Sequence, residues 1–122
     1  MYELIVKNDF SAAHHLRNYH GKCEKLHGHN YCVEIHFQQK KLNKVGMAID
    51  FTELKSLLDK ILSEYDHHYL NELSDFIKLN PTAENIAYII SKKIRKKLPK
   101  VINLKVCVWE SSGTGACYFD AV

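Results

Sequence analysis

Residues 23–39 read CEKLHGHNYCVEIHFQQ, and along most of this stretch apolar and polar side chains alternate. From residue 27 the odd positions carry two histidines and then an apolar series that ends at Phe37, whereas most even positions are polar. A period of two is typical of a β-strand with one buried face. We therefore predict a strand from His27 to about Gln39. His27 and His29 lie on its buried face, where two imidazoles can share a metal ion.

A second strand is predicted before this one, from Tyr2 to His14, because apolar side chains occupy its even positions. The alternation places His14 on the apolar face and His15 on the opposite one, unless a β-bulge intervenes. After Gln39, a polar turn and a short strand over Val45–Ile49 complete the predicted antiparallel meander.

Helical spacing of apolar residues begins at Phe51 and continues to about Tyr65, with Asp50 as the predicted cap. A second helix is expected between the capping residue Thr82 and Pro99. Two strands then close the chain. The order strand-strand-helix-helix-strand-strand predicts one α+β domain over residues 1–122, with an antiparallel sheet that carries both helices on one face. The edges of such a sheet favour edge-to-edge pairing in an oligomer.

The composition limits the classes of function. Of the 122 residues, 46% are hydrophobic and 25% charged, and no apolar run approaches the roughly eighteen residues of a membrane span. No secretory signal is visible, so we expect a cytoplasmic protein with four free cysteine thiols. A net charge of +3 suits an anionic ligand but is too small to indicate nucleic acid. The basic run Lys92–Lys100 is interpreted as a solvated helix face.

Three imidazoles, those of His14, His27 and His29, come together at the ends of two adjacent predicted strands. Three histidines suit zinc with a fourth position left open for water or substrate. Cys23 lies four residues before His27 and has three interpretations: a fourth zinc ligand, a catalytic thiol acting as a base, or an inert residue. The spacing does not decide among them.

Two carboxylates are further candidates. Asp66 precedes His67 just beyond the first helix, where it could orient the ring for proton transfer. The alternative is a histidine that complements the helix dipole. Glu110 ends a run of core-facing positions and could hold a planar ligand edge that offers two adjacent N–H donors. The alternative is a solvated residue at the rim of the sheet.

Six motifs are spread over the chain: Phe10-Ser-Ala-Ala-His14, Cys23-x-x-x-His27-Gly-His29, Gly46-Met-Ala-Ile-Asp50-Phe51, Asp66-His67-His68-Tyr-Leu-Asn71, Asn80-Pro-Thr82-Ala-Glu84-Asn85 and the late Glu110. Together they resemble the 6-pyruvoyltetrahydropterin synthase family almost from end to end. The resemblance implies a tunnelling fold (T-fold) and a homohexamer with active sites at subunit interfaces. The doubled His14-His15 departs from the family's more usual single histidine.

The resemblance also assigns roles to residues. It implies zinc binding by His14, His27 and His29, with Cys23 as the catalytic base, Asp66 and His67 as a supporting dyad, Glu110 as the pterin anchor, and Thr82 and Glu84 shaping the pterin pocket.

The three-residue gap between Cys23 and His27 resembles the carboxy-forming branch of the family, which acts in queuosine biosynthesis. This branch is a group of carbon-carbon lyases. The implied reaction converts 7,8-dihydroneopterin triphosphate to 6-carboxy-5,6,7,8-tetrahydropterin and releases acetaldehyde and triphosphate. Two alternatives remain: the pyruvoyl-forming reaction, and a non-catalytic zinc module built from Cys23, His27 and His29.

Overall fold

Two long strands, β1 (Tyr2–His14) and β2 (His27–Gln39), form the centre of the sheet in this computed structural model, which describes residues 1–21 and 24–121. They pair antiparallel over their whole length, from Tyr2 opposite Gln39 to His14 opposite His27. Even positions of β1 and odd positions of β2 therefore share one face, as predicted. The same register brings His14, His27 and His29 to one end of that face.

The remaining elements are α1 (Phe51–Leu62), β3 (His68–Tyr69), α2 (Ala83–Lys97), β4 (Asn103–Trp109) and β5 (Gly115–Ala121). The sheet order is β3-β1-β2-β4-β5, and every pairing is antiparallel except that of β3 with β1. Two short 3₁₀ turns, Leu70–Glu72 and Ser74–Phe76, connect β3 to the loop before α2. The two-residue β3 was not predicted, because a segment this short has no readable period.

Both helices cover the apolar face of the sheet, as predicted. Leu54, Leu58 and Ile61 of α1 and Ile86, Ile90 and Ile94 of α2 belong to one buried cluster with the apolar residues of β1, β2 and β4. The predicted caps are present. The Asp50 carboxylate accepts from the N–H of Thr52, and the Thr82 hydroxyl accepts from that of Asn85. None of the helices in residues 1–21 and 24–121 is long and apolar enough to cross a membrane.

The predicted strand over Val45–Ile49 is wrong. The Asn43 side chain accepts hydrogen bonds from the N–H groups of Val45 and Met47, and the Asn43 N–H donates to the Met47 carbonyl. Gly46 has a left-handed backbone (φ +86°) that completes this local loop. Because these backbone groups are satisfied within the loop, the segment leads into α1 without pairing with β2.

The expectation of four free thiols is also wrong, because Cys107 and Cys117 form a disulfide. The two cysteines are direct partners across β4 and β5. Their spacing of ten residues does not reveal this contact, which depends on the register of the hairpin. Cys32 is free, and Cys23 lies outside the described residues.

Candidate metal and substrate site

Three histidine rings meet at the end of the sheet where β1 stops and β2 begins. One ring nitrogen from each of His14, His27 and His29 lies within 4.8 Å of the other two. The His14 side chain is almost fully enclosed, with 1% of the residue exposed. Three neutral imidazoles converging in this way can hold one metal ion.

Backbone carbonyls orient two of these rings. His14 Nδ1 lies 2.7 Å from the carbonyl oxygen of Pro81, and His27 Nδ1 lies 2.8 Å from that of Lys25. Because a carbonyl can only accept, each Nδ1 carries the hydrogen and donates it, which leaves a lone pair on each Nε2 of the neutral rings. A carbonyl behind a histidine is the usual support of a metal ligand.

The free nitrogens then face one another. His14 Nε2 lies 2.9 Å from His27 Nε2, and His29 Nε2 is buried with no hydrogen-bond partner among the described residues. Two lone pairs this close repel each other unless a cation lies between them, and a buried nitrogen without a partner is costly. The donor set therefore fits a metal ion.

Burial lowers the pKa of His14, and the nearby rings of His27 and His29 lower it further. The hydrogen bond to Pro81 and the negative charge of Glu110 act in the opposite direction. A lowered pKa keeps the ring neutral near pH 7, which is the form that binds a metal.

His15 does not join this cluster. Its Nδ1 is hydrogen-bonded to the Tyr69 hydroxyl of β3, and the two rings are tilted against each other with centroids 5.7 Å apart. The strand alternation therefore separates the two adjacent histidines as predicted, with His14 towards the cluster.

The Asp66 carboxylate contacts the His67 ring beside the edge of β1. Asp66 Oδ2 lies 3.0 Å from His67 Nδ1, and Asp66 Oδ1 accepts the N–H of Ser11 at 2.9 Å. The Ser11 N–H lowers the pKa of the Asp66 carboxyl, and His67 lowers it further. The carboxylate therefore stays charged and orients the ring.

His67 itself has a left-handed backbone (φ +59°), a conformation that costs a residue with a Cβ about 1–2 kcal/mol. The His67 N–H donates to the Ser11 carbonyl at 2.6 Å, which holds this conformation. The side chain is 82% exposed. It lines a groove together with Ser11, Gly28, His29 and Asn30, so His67 and one histidine of the cluster open onto the same surface.

Glu110 lies just beyond β4, where its N–H donates to the Thr114 carbonyl. It lines one groove with His29 and Trp109 and a second groove with Glu84 and Thr114. Thr82 caps α2, and its neighbour Pro81 supplies the carbonyl that orients His14. Of the candidates from the sequence, all but Cys23 therefore lie at one end of the molecule. Cys23 falls outside the described residues.

Sequence reasoning missed the groups behind the cluster. The carbonyls of Pro81 and Lys25 belong to the backbone, so no residue type signals them. No role was predicted for Asn71 or Asn80, although both donate hydrogen bonds to the backbone that follows β1.

Comparison with known proteins identifies the family. Residues 3–121 match the family model described as 6-pyruvoyl tetrahydropterin synthase. The chain belongs to this family. The resemblance predicted from the six motifs is therefore confirmed.

Two curated relatives illustrate the range of the 6-pyruvoyl tetrahydropterin synthase family. A protein of Pyrococcus furiosus named dihydroneopterin monophosphate aldolase is 38% identical over 113 residues, which cover 92% of each chain. A protein of Rickettsia conorii named 6-carboxy-5,6,7,8-tetrahydropterin synthase is 35% identical over 92% of this chain and 94% of its own.

The fold of the family is confirmed by a solved structure. The 6-pyruvoyl tetrahydropterin synthase of Caenorhabditis elegans superposes with a TM-score of 0.87 at 23% identity, over 98% of this chain and 96% of its own. The expected α+β tunnelling fold of the subunit is thus correct.

Proposed function

We propose that this protein is a zinc-dependent carbon-carbon lyase that forms 6-carboxy-5,6,7,8-tetrahydropterin from 7,8-dihydroneopterin triphosphate. Acetaldehyde and triphosphate leave, and the reaction is a step of queuosine biosynthesis. The observation that carries the proposal is the convergence of the His14, His27 and His29 nitrogens within 4.8 Å in a chain of the pterin synthase family. Several relatives named 6-carboxy-5,6,7,8-tetrahydropterin synthase, at 33–36% identity, support the choice of product.

The three histidines would hold zinc with one position open, and zinc there would acidify the hydroxyl groups of the substrate side chain. The chain's own groups then have to move protons. His67 is the exposed acid–base group, and Asp66 holds its Nδ1 at 3.0 Å and stabilises the charged ring. His67 lines the same groove as His29.

Cys23 is proposed as the second proton-transfer group. It precedes His27 by four residues in the sequence. A thiol near a metal or a cationic imidazole loses its proton readily and can serve as a base. Because three imidazoles already converge, the metal does not need the thiol as a ligand.

Glu110 is proposed as the anchor for the pterin ring. Its carboxylate can accept two parallel N–H bonds from an aminopyrimidinone edge. It lies near enough to His14 for its charge to affect the pKa of that ring. A pterin held by Glu110, between the groove of Trp109 and the groove of Glu84, would therefore extend its side chain towards the metal.

The assembly proposed is a homohexamer in the cytoplasm, built by edge-to-edge pairing of sheets, with a small-molecule substrate and no nucleic-acid or membrane partner. Within residues 1–21 and 24–121, the outer edge of β1 pairs with β3 only at Ala12 and Ala13, and the outer edge of β5 has no partner strand. Both edges are therefore available to neighbouring subunits, which would place the groove of Glu110 and Glu84 near an interface.

A second candidate function is favoured by the Pyrococcus furiosus relative, whose name specifies a dihydroneopterin monophosphate aldolase. A retro-aldol cleavage of the same side chain uses the same parts: a metal that polarises the hydroxyls and a base that removes a proton. It differs in its product, which is a phosphorylated two-carbon aldehyde instead of free acetaldehyde.

The purified protein should be incubated with the triphosphate and, separately, the monophosphate of dihydroneopterin, and its products identified. The proposal predicts acetaldehyde and triphosphate from the first substrate. A pyruvoyl pterin without aldehyde release would indicate the pyruvoyl-forming reaction, and a phosphorylated aldehyde from the second substrate would indicate the aldolase.

The variant Cys23→Ala distinguishes a thiol that acts as a base from a thiol that binds zinc. We expect this variant to keep its zinc and to lose turnover, and the wild-type thiol to react with an alkylating reagent in the zinc-loaded protein. Loss of zinc would make Cys23 a ligand. A thiol that resists alkylation in a protein without turnover would instead indicate the non-catalytic zinc module.

A further inference from the structure

Two asparagine side chains take the place of a neighbouring strand where the chain leaves β1. Asn71 Oδ1 accepts the N–H of His15 at 3.0 Å, and Asn71 Nδ2 donates to the His15 carbonyl at 3.0 Å. Asn80 does the same two residues later, with its Oδ1 2.9 Å from the N–H of Arg17 and its Nδ2 2.8 Å from the Arg17 carbonyl. Each amide therefore satisfies both backbone groups of one residue, as a partner strand would.

These two pairs flank the metal cluster. His15 directly follows His14, so Asn71 fixes the backbone next to that ring. Asn80 directly precedes Pro81, whose carbonyl accepts from His14 Nδ1 at 2.7 Å. The position of His14 is thus held at its backbone through Asn71 and at its ring through Asn80.

Further hydrogen bonds fix the chain at Arg17, just beyond β1. The Arg17 guanidinium donates to the carbonyls of Phe76 and Leu79, and Arg17 Nε lies 3.2 Å from Asn80 Oδ1. The next residue, Asn18, has a left-handed backbone (φ 59°) that turns the chain. The turn that follows β1 therefore starts from a point fixed by Asn80.

We infer that Asn71 and Asn80 are positioning residues of the metal site, acting on the metal through His14. This inference rests on the proposed function. The amide carries its acceptor and its donor on two separate atoms, which face the N–H and the C=O of one residue. Alanine has neither group, and serine has both on a single hydroxyl of a shorter side chain. Removing the amide leaves the N–H and C=O of His15 or Arg17 unpaired in a region that is at least half-buried.

The test is zinc affinity of the full-length protein by chelator competition, together with the visible spectrum of the Co²⁺-substituted form. Supports behind a metal ligand typically change affinity by about 10- to 100-fold. We expect Asn71→Ala and Asn80→Ala to bind zinc about 10- to 100-fold more weakly than wild type and to give an altered Co²⁺ spectrum. Asn80→Ser, a smaller change at the more exposed position, should lie in between and keeps the test available if Asn71→Ala does not fold.

Two control variants distinguish an effect on the position of the zinc ligands from a general loss of protein stability. Asn103→Ala removes an amide that donates to Gln38 Oε1 at the other end of the sheet, so it should bind zinc as wild type does. Asp50→Ala removes a helix cap far from the cluster and lowers stability alone, so its zinc affinity should also be unchanged.

The measurement distinguishes a failure of the positioning inference from a failure of the proposed function. If wild type binds zinc and both alanine variants bind it as tightly as the controls, the positioning inference is wrong and the proposed function stands. If wild type binds no metal, the proposed function itself fails.

Discussion

At the scale of single residues, the metal cluster depends on backbone carbonyls as much as on histidines. The carbonyls of Pro81 and Lys25 fix which nitrogen of His14 and of His27 carries the hydrogen. The three histidines could be predicted from the sequence because the period of two in β1 and β2 puts their imidazoles on one face of the sheet. The carbonyls could not be predicted, since no residue type signals a backbone group. The Pro81 carbonyl, moreover, is brought near His14 only by the tertiary fold.

The adjacent histidines 14 and 15 provide a direct test of this arrangement. We expect His14→Ala to reduce bound metal from about one ion per subunit to nearly none, because one of three converging nitrogens is lost. His15→Ala should keep its metal, since His15 bonds to Tyr69 on the other side of the strand. Metal content measured by mass spectrometry checks both; a His15→Ala protein without metal would contradict the assignment.

The dyad gives a pH-dependent prediction. The folded-state pKa of Asp66 is lowered by the Ser11 N–H and by His67, so the charged carboxylate stabilises the folded chain. This contribution is complete above the usual aspartate pKa of about 4 and is lost as the pH falls through the lowered folded value. Asp66→Asn should therefore be less stable than wild type at neutral pH.

As the pH falls below about 4, the free energies of unfolding of wild type and Asp66→Asn should converge. Denaturant titrations of the metal-free proteins at several pH values provide the measurement. A difference that stays constant down to low pH would mean that the carboxylate charge does not stabilise the fold.

At the scale of elements, the hairpin of β4 and β5 carries Glu110 in its turn and is closed by the Cys107–Cys117 disulfide. By the chain-entropy estimate, closing a loop of this length stabilises a protein by about 3 kcal/mol. The double variant Cys107→Ser/Cys117→Ser should therefore unfold at lower denaturant concentration. Cys32→Ser is the matched control, because Cys32 is free. Coincident unfolding curves for the double variant and wild type would show that the disulfide adds nothing.

The elements also show where sequence reasoning succeeds and fails. Long β1 and β2 and both helices were predicted because a period of two or 3.6 repeats many times and Asp50 and Thr82 mark the helix starts. The supposed strand over Val45–Ile49 failed because Asn43 closes a local loop that competes with the ladder. The disulfide was not predicted because it depends on the register of the hairpin and not on the spacing of the two cysteines in the sequence.

At the scale of the whole molecule, the sheet leaves apolar side chains at its two open edges. Ile5 on β1 and Phe119 on β5 lie on the face opposite the helices, and 46% and 72% of their surface is exposed. Edge-to-edge pairing of β1 with β5 of a neighbour would bring such side chains together and cover them.

Phe119→Lys should therefore shift the protein towards smaller species, because a charge would have to be buried in that contact. Light scattering during gel filtration gives the mass directly. Val45→Lys is the control, since Val45 is 74% exposed in the loop between β2 and α1. A wild-type mass of one subunit would contradict the proposed hexamer. Equal masses for the two variants would show that Phe119 does not lie in the interface.

We propose that zinc held by His14, His27 and His29 is required to break a carbon-carbon bond of dihydroneopterin triphosphate. Acetaldehyde release should be measured with chelator-treated protein as zinc is returned stepwise. We expect no acetaldehyde without metal, a linear rise up to one zinc per subunit, and no recovery in His29→Ala. Full acetaldehyde release before zinc is returned, or none after it, would show that zinc at these histidines is not what the reaction needs.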